Sequence, residues 1–258
     1  MDYCSLMSGS WGNCHLIKAG DTTLLIDAGQ SGKRILTNMA LAGCNRDTVL
    51  SAIVVTHAHQ DHIAGVGVLA RRLRLPVYAT EGTWFEMGAI AKTIPDDQKH
   101  IIGCEEKWGI GDIALEAFPT SHDALESVGF VLRHEEAALG IATDCGVFTS
   151  RMERTLQGMQ ALILEANHDT EMLKNGSYPY YLKRRIAGIN GHLSNDDAGA
   201  ALAKIAGEKT QQVVLAHLSQ ENNTREKALA SVAGALPGKR PVISVAPRCT
   251  PGEWLYIG

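Results

Sequence analysis

The segment His57-Ala58-His59-Gln60-Asp61-His62 places three imidazoles and a carboxylate directly after the apolar run Ala52-Ile53-Val54-Val55. In an extended chain the side chains of His57, His59 and Asp61 point one way, and the adjacent His62 turns to the other side. Imidazole and carboxylate ligands suit zinc, and an oxygen-richer site accepts manganese. One loop with this spacing can therefore serve two neighbouring metal ions. Two ions about 3.5–4 Å apart can hold a hydroxide between them and clamp a phosphoryl oxygen. Zinc also brings the pKa of bound water toward neutrality, so no strong protein base is required.

Further ligand types occur where apolar runs stop. Asp27 follows Leu24-Leu25-Ile26, His122 follows Phe118-Pro119-Thr120-Ser121, Asp144 follows Gly140-Ile141-Ala142-Thr143, and His217 follows Val213 to Ala216. Binding groups in α/β folds sit at strand ends, on loops held by a rigid sheet. The elements that must position them alternate along the chain. Strands are expected over 16–19, 23–27, 52–55, 76–79, 113–118, 129–132, 139–143, 161–165, 213–216, 242–245 and 254–257. Helices are expected over 33–41, 63–73, 82–91, 151–159, 179–189, 196–206 and 224–232. The pattern predicts two α/β halves meeting in a single domain, residues 1–258, with sheets inside and helices outside.

Composition narrows the function classes. A chain of 258 residues with 45% hydrophobic content supports a full core, and a net charge of −4 gives no bulk attraction to nucleic acid. The start Met-Asp-Tyr-Cys-Ser lacks the layout of a signal peptide, and no apolar run is long enough to cross a bilayer. A soluble cytoplasmic protein with no membrane partner is expected. The six cysteines form no C-x-x-C pair and read as reduced thiols, with Cys145 a packed residue at a strand end. His15, His100 and His134 read as structural or surface residues.

Thr56-His57-Ala58-His59-Gln60-Asp61-His62-Ile63-Ala64-Gly65 resembles the signature of the metallo-β-lactamase superfamily, and His122, Asp144 and His217 match its later metal-binding motifs in order. A closer resemblance, to the WalJ/YycJ-like hydrolases, covers nearly the whole chain. It runs through Ser8-Gly9-Ser10-Trp11-Gly12-Asn13-Cys14, Leu25-Ile26-Asp27-Ala28-Gly29, Leu164-Glu165-Ala166-Asn167-His168-Asp169, Gly191-His192-Leu193-Ser194-Asn195 and Leu215-Ala216-His217-Leu218-Ser219. Trp11 stands where a small or polar residue is more typical of that motif. The resemblance implies an α/β four-layer αββα sandwich with a dinuclear metal site at the strand ends. It implies one divalent ion, zinc or manganese, on His57, His59 and His122, and a second on Asp61, His62 and His217, with Asp144 bridging. Asp61 would also orient the nucleophile, while Asp27 and Thr56 would frame the site. His192 is expected to assist catalysis by holding a phosphate or protonating a leaving oxygen. His168 and Glu165 either support His192 or serve the structure alone.

The substrate is addressed by two basic clusters. Arg71, Arg72 and Arg74 follow the metal motif, and Lys183, Arg184 and Arg185 follow Tyr178, Tyr180 and Tyr181 in a segment without acids. Arg184, Arg185 and Tyr181 are candidates for binding a phosphate backbone and an end base. If these clusters line the metal cleft, phosphodiester hydrolysis follows naturally, and the resemblance implies a 5′-to-3′ DNA exonuclease acting at a DNA end. The alternatives are a phosphodiesterase for a small cyclic or dinucleotide substrate and an RNA-processing nuclease. The chain has no room for the large inserted domain of RNA-processing relatives, which favours action at an end.

Overall fold

In a computed structural model, residues 1–45, 48–236, 238 and 241–258 are described. The strands of the first half are β1 (Asp2–Met7), β2 (Cys14–Ala19), β3 (Thr22–Ile26), β4 (Ala52–Val54), β5 (Val77–Ala79) and β6 (Lys99–Ile101). Their helices are α1 (Gly32–Leu41), α2 (Gln60–Ile63), α3 (Val66–Leu73), α4 (Glu81–Met87) and α5 (Ala89–Thr93). The second half contains β7 (Lys107–Ile110), β8 (Ile113–Pro119), β9 (Val128–His134), β10 (Ala137–Ala142), β11 (Ala161–Glu165), β12 (Gln212–Ala216) and β13 (Val242–Val245). Its helices are α6 (Ser150–Leu156), α7 (Thr170–Asn175), α8 (Tyr180–Ile186), α9 (Asn195–Ile205) and α10 (Arg225–Gly234), and β14 (Leu255–Tyr256) returns to the first sheet.

The two sheets run β14-β1-β2-β3-β4-β5-β6 and β13-β12-β11-β10-β9-β8-β7. Each opens as an antiparallel meander and continues as parallel strands: β3 to β6 in the first sheet, β10 to β13 in the second. Parallel strands covered on both faces are apolar throughout, with alternate residues entering different cores. In β11, Ala161 and Ile163 join the layer between the sheets, whereas Leu162 and Leu164 pack outward with α6 and α9. In β3, Leu24 and Ile26 face the central layer and Leu25 faces outward, toward Ile35, Val66 and Leu69 of α1 and α3. Helices thus cover both outer faces of a paired-sheet core, giving the αββα sandwich.

Register aligns the strand ends that matter. Ile26 lies opposite Val54, Ala142 opposite Leu164, and Glu165 opposite Ala216. The residues after β3, β4, β10 and β12 consequently emerge on one edge of the sandwich. Three of them, Asp27 (φ 62°), Asp144 (φ 56°) and His217 (φ 57°), have left-handed backbones. Such strain costs about 1–3 kcal/mol for a non-glycine residue and is kept where the surroundings fix the conformation.

Several elements depart from the expected pattern. The helix expected over 82–91 is broken into α4 and α5 at Gly88, whose φ of 50° no helical residue adopts. The helix expected over 63–73 is α2 plus α3, and that expected over 179–189 ends at Ile186. Strands β1, β6 and β7 and helix α7 are short or lack strong periodicity and lie outside the expected elements.

Candidate active site

The strand-end residues meet in one cluster. His57, His59 and His122 present ligand atoms within 4.8 Å of one another, as do Asp61, His62 and His217, and His57, His62 and Asp144 connect the two groups. A fourth group joins Asp144 to Glu165, His192 and His217. All seven residues expected as metal ligands are therefore brought together, and His192 lies beside them.

Four of the five imidazoles are held at Nδ1 by a group other than the seven ligands, whereas His59 Nδ1 lies 3.1 Å from His122 Nε2. His62 Nδ1 donates to Asp27 Oδ2 at 2.7 Å, His122 Nδ1 to the Gly191 carbonyl at 3.0 Å, and His217 Nδ1 to Glu165 Oε1 at 3.0 Å. His57 Nδ1 lies 3.0 Å from Thr56 Oγ1, which itself donates to Asp27 Oδ2 at 2.9 Å. Fixing one ring nitrogen in this way leaves the other aimed inward, the arrangement typical of metal-binding histidines. Asp27 and Thr56 supply that support and are themselves joined by the Thr56 N–H to Asp27 Oδ1 bond at 2.8 Å.

Two atoms test whether a metal fits. His57 Nε2 and Asp144 Oδ2 are buried and make no hydrogen bond. Leaving such groups unpaired costs about 1–3 kcal/mol each, so their inward aim calls for a cation rather than a packed apolar group. The remaining donor set, imidazole and carboxylate, is that of a divalent metal centre.

Electrostatics agree with this reading. Burial pushes His57 well below its usual range, with the neighbouring imidazoles adding to the effect, so its ring is neutral and ready to coordinate. Burial also lowers His122, only partly opposed by Asp144. Burial alone would lower His62, but Asp144, Asp27 and Asp61 outweigh it and raise the group to about 9. His217 goes the same way against its burial, through Asp144, Asp61 and Glu165. Asp61 and Glu165, whose burial would raise them, are held below the usual carboxylate range by His62 and His217 and by His192 and His217 respectively. Divalent cations would replace the protons that these carboxylates hold on His62 and His217.

Glu165 is the hub on the buried side. Oε1 accepts from His192 Nδ1 at 2.7 Å and from His217 Nδ1, while Oε2 accepts from the Cys145 N–H at 2.8 Å and the Leu193 N–H at 3.3 Å. It is Glu165, then, that fixes His192. His168 acts through its backbone, its carbonyl accepting from Asn195 N–H at 2.8 Å, and its ring Nδ1 makes no bond. Cys145 is fully buried, and burial with Glu165 and Asp144 pushes its thiol well above the usual range, so it packs rather than reacts.

The loop between β1 and β2 touches both halves of the centre. Asn13 N–H donates to the Asp61 carbonyl at 2.7 Å, Asn13 Nδ2 to Asp61 Oδ2 at 3.2 Å, and the His217 N–H to Ser8 Oγ at 2.8 Å. Gly29 explains the closeness: a Cβ there would meet the Asp61 carbonyl oxygen at 1.6 Å. Ser8 and Asn13 lie in the first glycine-rich motif of the family resemblance but were given no role by sequence reasoning, and Asp123 was not singled out at all. The only signal for Asp123 was its place after His122, and its Oδ1 lies 3.5 Å from both His59 Nε2 and His122 Nε2.

A cleft of about 350 Å³ opens over the centre, lined by His59, Asp61, Asp144, His192 and His217 on one side and by Tyr178, Leu182, Arg185 and Ile186 on the other. Arg185 donates from Nε to Asp123 Oδ2 at 2.6 Å. Arg184 and Tyr181 lie exposed on the same helix, α8, outside the cleft lining, and Arg71, Arg72 and Arg74 are likewise absent from it. Tyr78 stacks on His100, His134 Nδ1 bonds the Asp112 carbonyl and His15 Nδ1 bonds Tyr3 Oη, each a structural role.

The family profile described as Beta-lactamase superfamily domain matches residues 22–218. The chain is 42% identical to the exodeoxyribonuclease YycJ of Bacillus anthracis over 93% of its own length and 90% of that protein. It is 39% identical to the exodeoxyribonuclease WalJ of Streptococcus pneumoniae, covering 91% of the chain and 87% of the relative. The crystal structure of zinc-bound PqqB from Methylobacterium extorquens superposes with a TM-score of 0.75 at 17% identity, over 98% of this chain and 100% of the other, a likeness of fold. The chain belongs to the metallo-β-lactamase superfamily of metal-dependent hydrolases and, within it, to the WalJ/YycJ-like family.

Proposed function

We propose that this phosphodiester hydrolase is a 5′-to-3′ DNA exonuclease that works at a DNA end with two divalent ions, zinc or manganese. The observation that carries the reading is the convergence of the His57, His59 and His122 group with the Asp61, His62 and His217 group at the floor of a cleft walled by α8. The relatives named as exodeoxyribonucleases support the polynucleotide substrate. The reading takes residues 1–258 as a single domain, supported by the core shared between the sheets. Among the described residues no helix is long and apolar enough to cross a membrane, and the six cysteines are free, which supports a cytoplasmic setting.

The metal pair, when bound, supplies an activated water and neutralises charge on the phosphoryl group. His57, His59 and His122 would hold one ion, Asp61, His62 and His217 the other, and Asp144 both. Asp61 orients the attacking water from a carboxylate that Asn13 keeps in place. His192, fixed at Nδ1 by Glu165, carries a proton on Nε2 to the leaving oxygen. Arg185 on the opposite wall meets a backbone phosphate beside the reacting one, and Arg184 with Tyr181 engages the strand where it leaves the cleft.

The cleft volume of about 350 Å³ falls in the range of small-molecule sites and favours, as second reading, hydrolysis of a small cyclic or dinucleotide phosphodiester. Product analysis separates the two. DNA and RNA, single- and double-stranded and labelled at the 5′ or 3′ end, are incubated with zinc- or manganese-loaded protein, with chelator as control. Mononucleotides released progressively from the 5′ end of DNA support the exonuclease. Turnover confined to small diesters sinks it.

A further inference from the structure

We propose that Trp11 is a stacking platform for a nucleobase next to the scissile phosphate, an inference that rests on the nuclease reading above. Among the described residues Trp11 is the one tryptophan that is exposed, with 67% of its surface accessible. An isolated exposed indole is ordinary in itself. This one is fixed and placed. Its Nε1 donates to Gln220 Oε1 at 3.0 Å, and its carbonyl accepts from Gln30 Nε2. The ring therefore offers a face of set orientation to solvent, so a base stacking on it need not first order the side chain.

Its position follows from the same loop that braces the metal ligands. Two residues on, Asn13 holds Asp61, and three residues back, Ser8 holds the His217 backbone. Gln220, which pins the indole, lies three residues beyond His217. Trp11 lines a second hollow of about 230 Å³ with Tyr178, Gln220, Glu221 and Arg248. Ser10 and Tyr178 line both this hollow and the metal cleft, so the two adjoin. The hollow suits one nucleoside rather than a duplex. Arg248, held by its Nη2 bond to the Ser219 carbonyl at 2.9 Å, is matched by the carboxylate of Glu221. That balanced charge disfavours a phosphate and leaves the flat, sequence-tolerant face of a base as the group taken up.

The test is a cycle between protein and substrate. Single-stranded oligodeoxynucleotides carry one abasic residue at successive positions from the 5′ end, and KM and kcat are measured for wild type, Trp11→Ala and Trp11→Phe. At one position the abasic residue is expected to raise the wild-type KM about 5- to 150-fold, the span of a lost base–aromatic stack. The same change should be nearly silent in Trp11→Ala and restored in Trp11→Phe, while turnover of bis(4-nitrophenyl) phosphate stays unchanged in all three. Binding of the intact oligonucleotide should quench wild-type tryptophan fluorescence more than that of Trp11→Phe. An abasic penalty equal in wild type and Trp11→Ala overturns the platform and leaves the exonuclease standing. A wild type that hydrolyses the small diester but neither binds nor cuts DNA overturns both.

Discussion

A single carboxylate, Glu165, receives four donors: two imidazole N–H groups on Oε1 and two backbone N–H groups on Oε2. Only a group with two accepting oxygens satisfies them all. Glu165→Gln keeps the shape but sets an NH2 against one donor pair, at a cost of about 1–3 kcal/mol in unfolding free energy. Because His217 and His192 would lose their fixed orientation, metal affinity should fall about 10- to 100-fold. Metal titration followed by competition with a chromogenic chelator measures this, and an affinity equal to wild type would show that Glu165 does not position the ligands. A second residue governs acid stability. Burial pushes His15 down to about 3, against about 6.5 for a free imidazole. Between those values the unfolded chain binds the extra proton, so the contribution of neutral His15 is complete above pH 6.5 and is lost as pH falls toward 3. The full loss is roughly 4–5 kcal/mol. His15→Asn retains an acceptor for Tyr3 without the titration, and its stability should decline less steeply between about pH 6 and 4. Urea midpoints across that window decide the matter, identical slopes being the contrary result. These residues also mark the limit of the sequence. The HxHxDH run was legible because its ligands are adjacent, whereas Asn13 and Asp123 meet the centre only through long-range folding.

At the level of elements, what could be read was the apolar run that ends on a polar residue. β3, β4, β10 and β12 obey it, and so did the placing of Asp27, His57, Asp144 and His217. β1 escaped because Tyr3-Cys4-Ser5 mixes small polar and aromatic side chains, although it pairs with both β2 and β14. Helix α8 was expected to continue to Ile189, but the chain turns back after Ile186. There Gly191 packs so tightly that a Cβ would lie 2.2 Å from the Ile186 carbonyl oxygen, and the turn delivers His192 to the cleft. Backbone closeness of this kind leaves no periodic trace. Gly29 gives the sharpest test of it. Gly29→Ala forces a Cβ into the Asp61 carbonyl, so the β3–α1 loop and the metal loop must separate. A stability loss of about 3 kcal/mol is expected, together with fewer than two ions retained per chain. Calorimetric unfolding and metal analysis of the same sample supply the two numbers, and a variant with wild-type values for both would remove the close contact from the account.

Across the whole molecule, charge is distributed against the proposed substrate. A net charge of −4 repels a polyanion at long range, and the site itself is rich in carboxylates until metals neutralise it. Attraction must therefore come from the bound ions and from local cations, chiefly Arg184 and Arg185 on α8. Arg185 is already committed through Nε to Asp123, which raises it further above its usual range, so it is fixed at the cleft wall rather than swept through solvent. Such an enzyme should hold DNA through few phosphates, and its affinity should depend on salt only moderately. Each phosphate contact on a single strand contributes about −0.7 to the slope of log K against log salt. Replacing both arginines by glutamine should flatten that slope by about 1.4 and raise KM for an oligonucleotide by at least about tenfold. Turnover of bis(4-nitrophenyl) phosphate, which has no backbone beyond the reacting diester, should change far less. Equal losses on the two substrates would place the arginines in the chemistry of the reacting phosphate. An unchanged salt slope would move strand recognition off α8 altogether.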